Sequence, residues 1–157
     1  LEIGCGTGKN IAALSRRFPE AGITGVDLSE AMLALAKKKC RSAPGRIALE
    51  HRAYDGPVHP GRFDLVVCAY SLSMFNPGWQ TAIACAFEDL AAGGVMAVVD
   101  FHDTRLAWFK NWMRFNHVRM AGHLFAKLTE TFVPVRYRIE PAYLGIWQYF
   151  RFFGCKP

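Results

Sequence analysis

The 157-residue chain has no long hydrophobic run: stretches such as Leu65 to Tyr70 and Val95 to Val99 fall far short of the roughly 18 residues a membrane span needs. It has no C-x-x-C pair, and its five cysteines (Cys5, Cys40, Cys68, Cys85, Cys155) are widely spaced, with no histidine close enough to complete a zinc pattern. They read as reduced thiols of a cytoplasmic protein, and no metal is expected. There are no internal repeats or low-complexity tracts, and 52% hydrophobic with 20% charged residues excludes disorder, collagen-like repeats and coiled coil. Acidic residues are scarce in one region. Up to residue 100 there are 10 Lys+Arg and 10 Asp+Glu; beyond it there are 9 and 3, so the whole excess of +6 lies in the C-terminal third. That third also holds 14 of the 21 aromatic residues, so a neutral half is followed by a basic, aromatic one.

Residues 1 to 100 alternate short β-type runs with segments of helical period, the pattern of βαβ units and a parallel sheet. Leu1 to Ile3 looks like the end of a strand, and Ile11, Leu14 and Phe18 recur on a helix that Pro19 closes. Because the chain opens on Leu1 directly at that strand end, an N-terminal segment is expected to be missing ahead of it. Ile23 to Leu28 is a second strand, followed by Ser29 as N-cap and by Met32, Leu35 and Ala36 on one helical face. Ile47 to His51 is a weaker third strand, and Phe63 to Tyr70 a fourth, apolar without interruption as in a parallel sheet covered on both faces. Trp79, Ala82, Ile83, Ala86, Phe87 and Leu90 give a helical stripe that Gly93-Gly94 ends, and Val95 to Phe101 is a fifth strand. From Thr104, a candidate cap, to Thr131 the period is helical, with a break near Gly122 that implies two helices. Beyond Pro134, alternating stretches imply a β-hairpin-like pair turning near Gly145. The chain reads as one domain, 1–157, with a core at 1–103 and acceptor-side helices and a final strand pair at 104–157.

Glu2-Ile3-Gly4-Cys5-Gly6-Thr7-Gly8 lies at a strand-to-helix junction, where glycines permit a tight turn and let a ligand approach the backbone. The Gly-x-Gly-x-Gly spacing and the acidic Glu2 both depart from the G-x-G-x-x-G dinucleotide fingerprint and count against NAD. Asp27 ends the second strand, where a carboxylate can accept hydrogen bonds from both hydroxyls of a ribose. Loop and acid together define an adenosine-type site.

With these residues the sequence resembles the class I S-adenosylmethionine-dependent methyltransferases over residues 1 to 100. L-E-I-G-C-G-T-G matches the family's cofactor loop and G-V-D-L-S the end of its second strand. Phe63 to Val67 matches the fourth strand, and Leu90 to Gly94 the turn before the fifth. The resemblance implies an α/β fold, a three-layer α/β/α Rossmann-like sandwich with a seven-stranded, mostly parallel sheet whose last pair includes an antiparallel strand. It implies S-adenosylmethionine as cofactor, held by the loop residues Glu2, Gly4, Cys5, Gly6 and Gly8, with Asp27 on the ribose, Leu28 against the adenine and Tyr70 at the fourth-strand end. Where the family often has an acidic residue near the adenine amino group this chain has Ala53, and Asp55 is the substitute. For Cys5 itself, packing as a small residue is the simpler role.

Acceptor contacts are expected from the fourth-strand end, Ala69 to Pro77, with Ser71 among them, because open α/β sheets place substrates at the carboxyl ends of their strands. This stretch has no [D/N]-P-P-[Y/F] run of the kind seen in enzymes that methylate nucleic-acid amino groups, so nucleic acid is not the expected partner despite the basic charge. Y-S-L-S-M, with V-D-F after the fifth strand, resembles bacterial lipid N-methyltransferases that form betaine lipid or phosphatidylcholine. Leu106, Trp108, Phe109, Trp112, Met113 and Phe115 occupy about half a helix circumference opposite Lys110, Asn111 and Arg114, as in an interfacial helix on an anionic membrane. A helix packed on the sheet explains the same pattern, and Trp108 and Trp112 then line the substrate. Proton-accepting candidates are Tyr70, Asp100, His102, His117, His123 and Tyr143, with Asp100 and His102 foremost, as both follow the fifth strand at one sheet edge. Tyr143 is also a substrate-side candidate, and Arg136, Arg138 and Arg151 are cations able to take a phosphate or carboxylate. The leading expectation is N-methylation of an amino lipid by a cytoplasmic protein peripheral at the inner membrane face. The alternatives are C- or O-methylation of a small apolar metabolite such as a quinone precursor, and a non-catalytic RNA-binding module.

Overall fold

Left-handed glycines and capped helices divide the chain into seven strands and five α-helices. The computed structural model describes residues 1–157. The fold class is the expected one, an α/β fold with a seven-stranded, mostly parallel sheet and helices. The backbone clusters into two compact units, Leu1–Tyr54 and Asp55–Pro157.

The first unit contains β1 (Glu2–Ile3), α1 (Lys9–Arg17), β2 (Gly22–Asp27), α2 (Glu30–Cys40) and β3 (Arg46–His51). Its strands lie parallel in the order β3-β2-β1, with Ile3 beside Val26 and Asp27 beside His51. Ile11 and Ala12 of α1 and Leu33 and Cys40 of α2 close on Cys5 and Ile23 to form its core. Each large aliphatic side chain so buried contributes about 1.5–3 kcal/mol. Ser29 caps α2 as expected, its hydroxyl accepting from the Met32 N–H at 3.3 Å. The buried face of α2 differs from the expected one: Leu33, Ala36 and Cys40 are inside, whereas Met32 and Leu35 are exposed. Close approach decides this. A Cβ on Gly8 would lie 3.0 Å from that of Ala36, so the α2 stripe that meets the loop is the one centred on Ala36.

The second unit contains β4 (Phe63–Ala69), α3 (Trp79–Asp89), β5 (Leu90–Asp103), α4 (Ala107–Phe115), α5 (His123–Thr131), β6 (Val133–Ala142) and β7 (Trp147–Cys155). β4 and β5 are parallel, and β7 and β6 continue the order β4-β5-β7-β6 antiparallel, the expected terminal hairpin. The stop at Gly93-Gly94 is displaced: α3 ends at Asp89, and Leu90 already pairs with Phe63 of β4. Buried Asp89 accepts from the Val58 and His59 N–H groups at 2.9 and 2.7 Å, which fixes the chain there before the glycines are reached. Gly122, with φ +65°, starts α5 and makes the expected break between the two helices. Thr104 serves the start of α4 from two residues before its cap residue Leu106, its hydroxyl accepting from the Leu106 N–H at 3.2 Å.

Candidate functional site

The glycine-rich loop of the first unit is built by backbone conformation that only glycine adopts freely. Gly4, Gly6 and Gly8 have φ of 68°, 51° and 72°. The Gly4 and Cys5 N–H groups both donate to the Val26 carbonyl, and the Gly6 N–H donates to Asp27 Oδ2 at 2.7 Å. Asp27 Oδ1 accepts from the Ser29 N–H at 2.9 Å. Each carboxylate oxygen therefore uses one lone pair on backbone and keeps one for a further donor, which suits a pair of vicinal hydroxyls. A Cβ on Gly6 would meet nothing within 4 Å, so the loop is open on that side. Leu28 beside it is 72% exposed, an apolar surface free to flank a planar ring.

Glu2 is the second carboxylate of this unit and is buried. Oε1 accepts from Asn10 Nδ2 at 2.8 Å, whereas Oε2 is buried with no hydrogen-bond partner. Burial pushes its carboxyl up to about 7. An orphaned oxygen on a carboxyl held near neutrality is stabilised by an arriving cation, so this group fits an ammonium or sulfonium ligand. Asn10, which holds Glu2, has no sequence signal beyond its place in the first turn of the helix after the loop. Cys5 turns its side chain into the core, where burial raises the thiol to about 12, so only its backbone serves the loop.

In the second unit the expected residues separate onto two faces of β5. Successive strand residues alternate in direction, so Phe101 points opposite to Asp100 and His102. Asp100 is fully buried; its Oδ2 accepts from the Ser73 N–H at 3.1 Å and its Oδ1 from the Phe101 N–H at 2.8 Å. It anchors the turn after β4 and offers no exposed oxygen, which corrects the expectation that it receives a proton from substrate. His102 lies beside Phe125 and Phe150 with Nδ1 buried and unpaired, and burial lowers its affinity for a proton. Ser71 is buried, its carbonyl accepting from the Met74 N–H, and Asp55 is exposed at the start of the unit.

Burial also pushes the Asp100 carboxyl up from 3.8 to about 6. Its protonated form is favoured in the folded state, so its stabilising contribution is full below pH 3.8 and is lost as pH rises through 6. The loss is on the order of 3 kcal/mol. We expect the stability of wild type relative to Asp100→Asn, from denaturant melts, to fall by that amount between pH 4 and pH 7; a pH-independent difference contradicts it.

The opposite face gathers rings that lie far apart in sequence. Tyr70, with φ 54°, sits 5.1 Å from Phe101 and 6.4 Å from Trp147, and Phe101 and Trp147 are 4.8 Å apart. Tyr143 stacks on Trp147 at 6.1 Å, and Tyr149 adds a ring 5.9 Å from Trp147. Non-glycine residues at positive φ are uncommon, and Tyr70, Tyr143 and Leu144 all adopt it here, as strained residues do where they present a side chain. Phe101 and Trp147 also pack on Met113, Val118 and Met120, together with Phe109 of α4. Trp108 and Trp112 flank Phe109 at 5.6 and 5.8 Å and are 64% and 56% exposed. The structure thus brings Tyr70 and Tyr143 together and adds Phe101 and Trp147, which the sequence reading did not single out as site residues. His117 is exposed, and His123 packs edge-on against Trp79 at 4.7 Å. No group of three His, Cys, Asp or Glu side chains is placed to hold a metal ion.

Residues 1–94 match the family of the methyltransferase domain. The chain is 35% identical over 101 residues to a malonyl-[acyl-carrier protein] O-methyltransferase of Priestia megaterium, covering 64% of this chain and 36% of that protein. It is 30% identical over 136 residues to a demethylmenaquinone methyltransferase of Staphylococcus aureus, covering 84% of this chain and 56% of that one. The chain therefore spans between about a third and a little over half of these curated relatives. In three dimensions it resembles the N-methyltransferase NodS of Bradyrhizobium japonicum in complex with S-adenosyl-L-homocysteine, with TM-score 0.80 and 21% identity, over 99% of this chain and 76% of that one. With the loop, the acid at the end of β2 and the family match over most of its length, the chain belongs to the methyltransferase-domain family, whose cofactor is S-adenosylmethionine.

Proposed function

We propose that this protein transfers a methyl group from S-adenosylmethionine to the amino head group of a membrane lipid. The observation that carries the acceptor reading is the aromatic assembly of Tyr70, Phe101, Trp147 and Tyr143, continued outward through Phe109 to exposed Trp108 and Trp112. Rings stabilise a nitrogen that gains positive charge by roughly 0.5–2 kcal/mol each when desolvated. Exposed tryptophans on one face of a short amphipathic helix favour a lipid interface, and α4 buries only Met113 fully. No helix is long and apolar enough to cross a membrane, so the contact proposed is peripheral.

Bound S-adenosylmethionine supplies a methyl carbon on a positively charged sulfur. Glu2 and Asp27 offer the carboxylates that match its cationic and ribose portions. An acceptor nitrogen would have to arrive unprotonated, with its lone pair free to take the methyl group that the bound cofactor would supply. The Tyr70 hydroxyl, which burial keeps protonated by raising its pKa, is the hydrogen-bond acceptor we assign for the amine N–H, and Asp100 is a positioning residue that holds the turn following Tyr70 through the Ser73 N–H.

A second reading, C- or O-methylation of an apolar quinone precursor, is favoured by one finding: the match to a demethylmenaquinone methyltransferase runs over 136 residues and so extends beyond the cofactor motifs. The test is to incubate the full-length protein with methyl-labelled S-adenosylmethionine and a bacterial lipid extract separated into amino-lipid and quinone fractions. Label in amino lipids of increasing methylation supports the first reading. Label confined to the quinone fraction replaces it with the second, and label in neither overturns both.

A further inference from the structure

A separate cavity of about 500 Å³ opens in the second unit among Asn76, Trp79, Arg114, His117, Val118 and Arg119. No acidic residue lines it, and neither arginine takes part in an ion pair. The other arginine cluster differs: Arg151 and Arg138 share Glu140, so much of its charge is already answered. The cavity walls are held in place. Asn76 Nδ2 donates to the Ser73 carbonyl at 2.6 Å and to the His117 carbonyl at 3.2 Å, and the Arg119 N–H donates to the Ser73 carbonyl at 2.9 Å. His117 is kept at φ 63°, the left-handed region that a non-glycine residue enters only when its surroundings impose it. Behind Trp79, the His123 ring is packed edge-on with both nitrogens buried and unpaired, and burial together with the nearby Arg119 charge lowers its proton affinity to a pKa of about 4. The wall therefore joins two uncompensated guanidinium groups to the apolar faces of Trp79 and Val118.

We propose that this cavity binds the phosphate of a phosphate ester, with Arg114 and Arg119 on the phosphate oxygens and the ester's organic part against Trp79 and Val118. Guanidinium groups bind phosphate through paired, charge-assisted hydrogen bonds, and a volume within the usual 300–1,000 Å³ range exceeds what an inorganic ion needs. The proposal rests on the lipid reading above for the identity of the ester: it makes the acceptor a phospholipid, recognised by its phosphate as well as its amine.

The test measures binding with no methyl donor present. Full-length protein is titrated with monomeric dihexanoyl-phosphatidylethanolamine, with dihexanoylglycerol and with inorganic phosphate. The phospholipid is expected to bind more tightly than either, and R114Q/R119Q to lose about a hundredfold in affinity, roughly tenfold per arginine. R136Q/R138Q, on the other cationic face, should bind as wild type does. Equal affinity in R114Q/R119Q overturns the proposal, as does an equal loss in R136Q/R138Q. Inorganic phosphate binding as tightly as the ester assigns the cavity to free phosphate instead, and dihexanoylglycerol binding as tightly removes the role of the phosphate. Should R114Q/R119Q fail to fold, the wild-type protein still decides: the phospholipid must protect Arg114 and Arg119 from phenylglyoxal, and unprotected arginines overturn the site. Binding without methyl transfer leaves the cavity standing and removes the lipid-methylation reading; transfer to lipid with unchanged R114Q/R119Q affinity removes the cavity alone.

Discussion

Asp27→Ala is expected to weaken S-adenosylmethionine binding by about a hundredfold or more, read by calorimetry. The carboxylate holds the Gly6 N–H at 2.7 Å and the Ser29 N–H at 2.9 Å, and so fixes both the crown of the loop and the start of α2. Hydrogen bonds to a charged group contribute about 1.5–3 kcal/mol each, and two to ribose hydroxyls account for the hundredfold loss. Releasing the Gly6 N–H adds to it, because that hydrogen bond helps hold Gly6 at φ +51°. Asp27→Asn, which retains one acceptor oxygen, should fall between the two. Affinity unchanged within about threefold in Asp27→Ala contradicts the assignment.

The second large effect is expected from the rings of the second unit. Phe101→Leu and Trp147→Leu should each reduce kcat/KM for the acceptor by about tenfold while leaving cofactor affinity unchanged. Each removes a π face and keeps an apolar side chain, so the fold loses less than it would with alanine. If the rings act on charge that develops as nitrogen is methylated, the loss appears in kcat and is greatest for the step that forms the quaternary ammonium. An equal loss in KM alone, with an uncharged acceptor turned over as well as the amine, favours the quinone reading. No loss in either variant removes the rings from the reaction.

What could be read from sequence follows the range of the forces involved. The loop was legible because its glycines answer a local need, left-handed backbone at three alternate positions, and because Asp27 closes the strand that the loop leans on. The strands and the break at Gly122 were legible for the same local reason. The face of α2 was not: its first seven residues are apolar nearly all round, and only the approach of Gly8 to Ala36 selects the buried stripe. The site in the second unit was half legible. Tyr70 and Tyr143 stood out as polar aromatics at element ends, but Phe101 and Trp147 meet because β5 and β7 pair antiparallel with Phe101 beside Tyr149. That register depends on contacts between segments more than 40 residues apart, and no local pattern contains it. Asp100 illustrates the opposite error: a carboxylate at the right sheet edge was read as chemistry, whereas alternation along the strand turns it inward to hold the turn after β4.

The most direct test of the account is a crystal structure of the full-length protein with S-adenosylhomocysteine. The account predicts the ribose hydroxyls on the Asp27 carboxylate, the backbone of Gly4 to Gly8 against the ligand, and the amino group within hydrogen-bond reach of Glu2. A ligand bound elsewhere, or bound there with Asp27 turned away from the ribose, contradicts it.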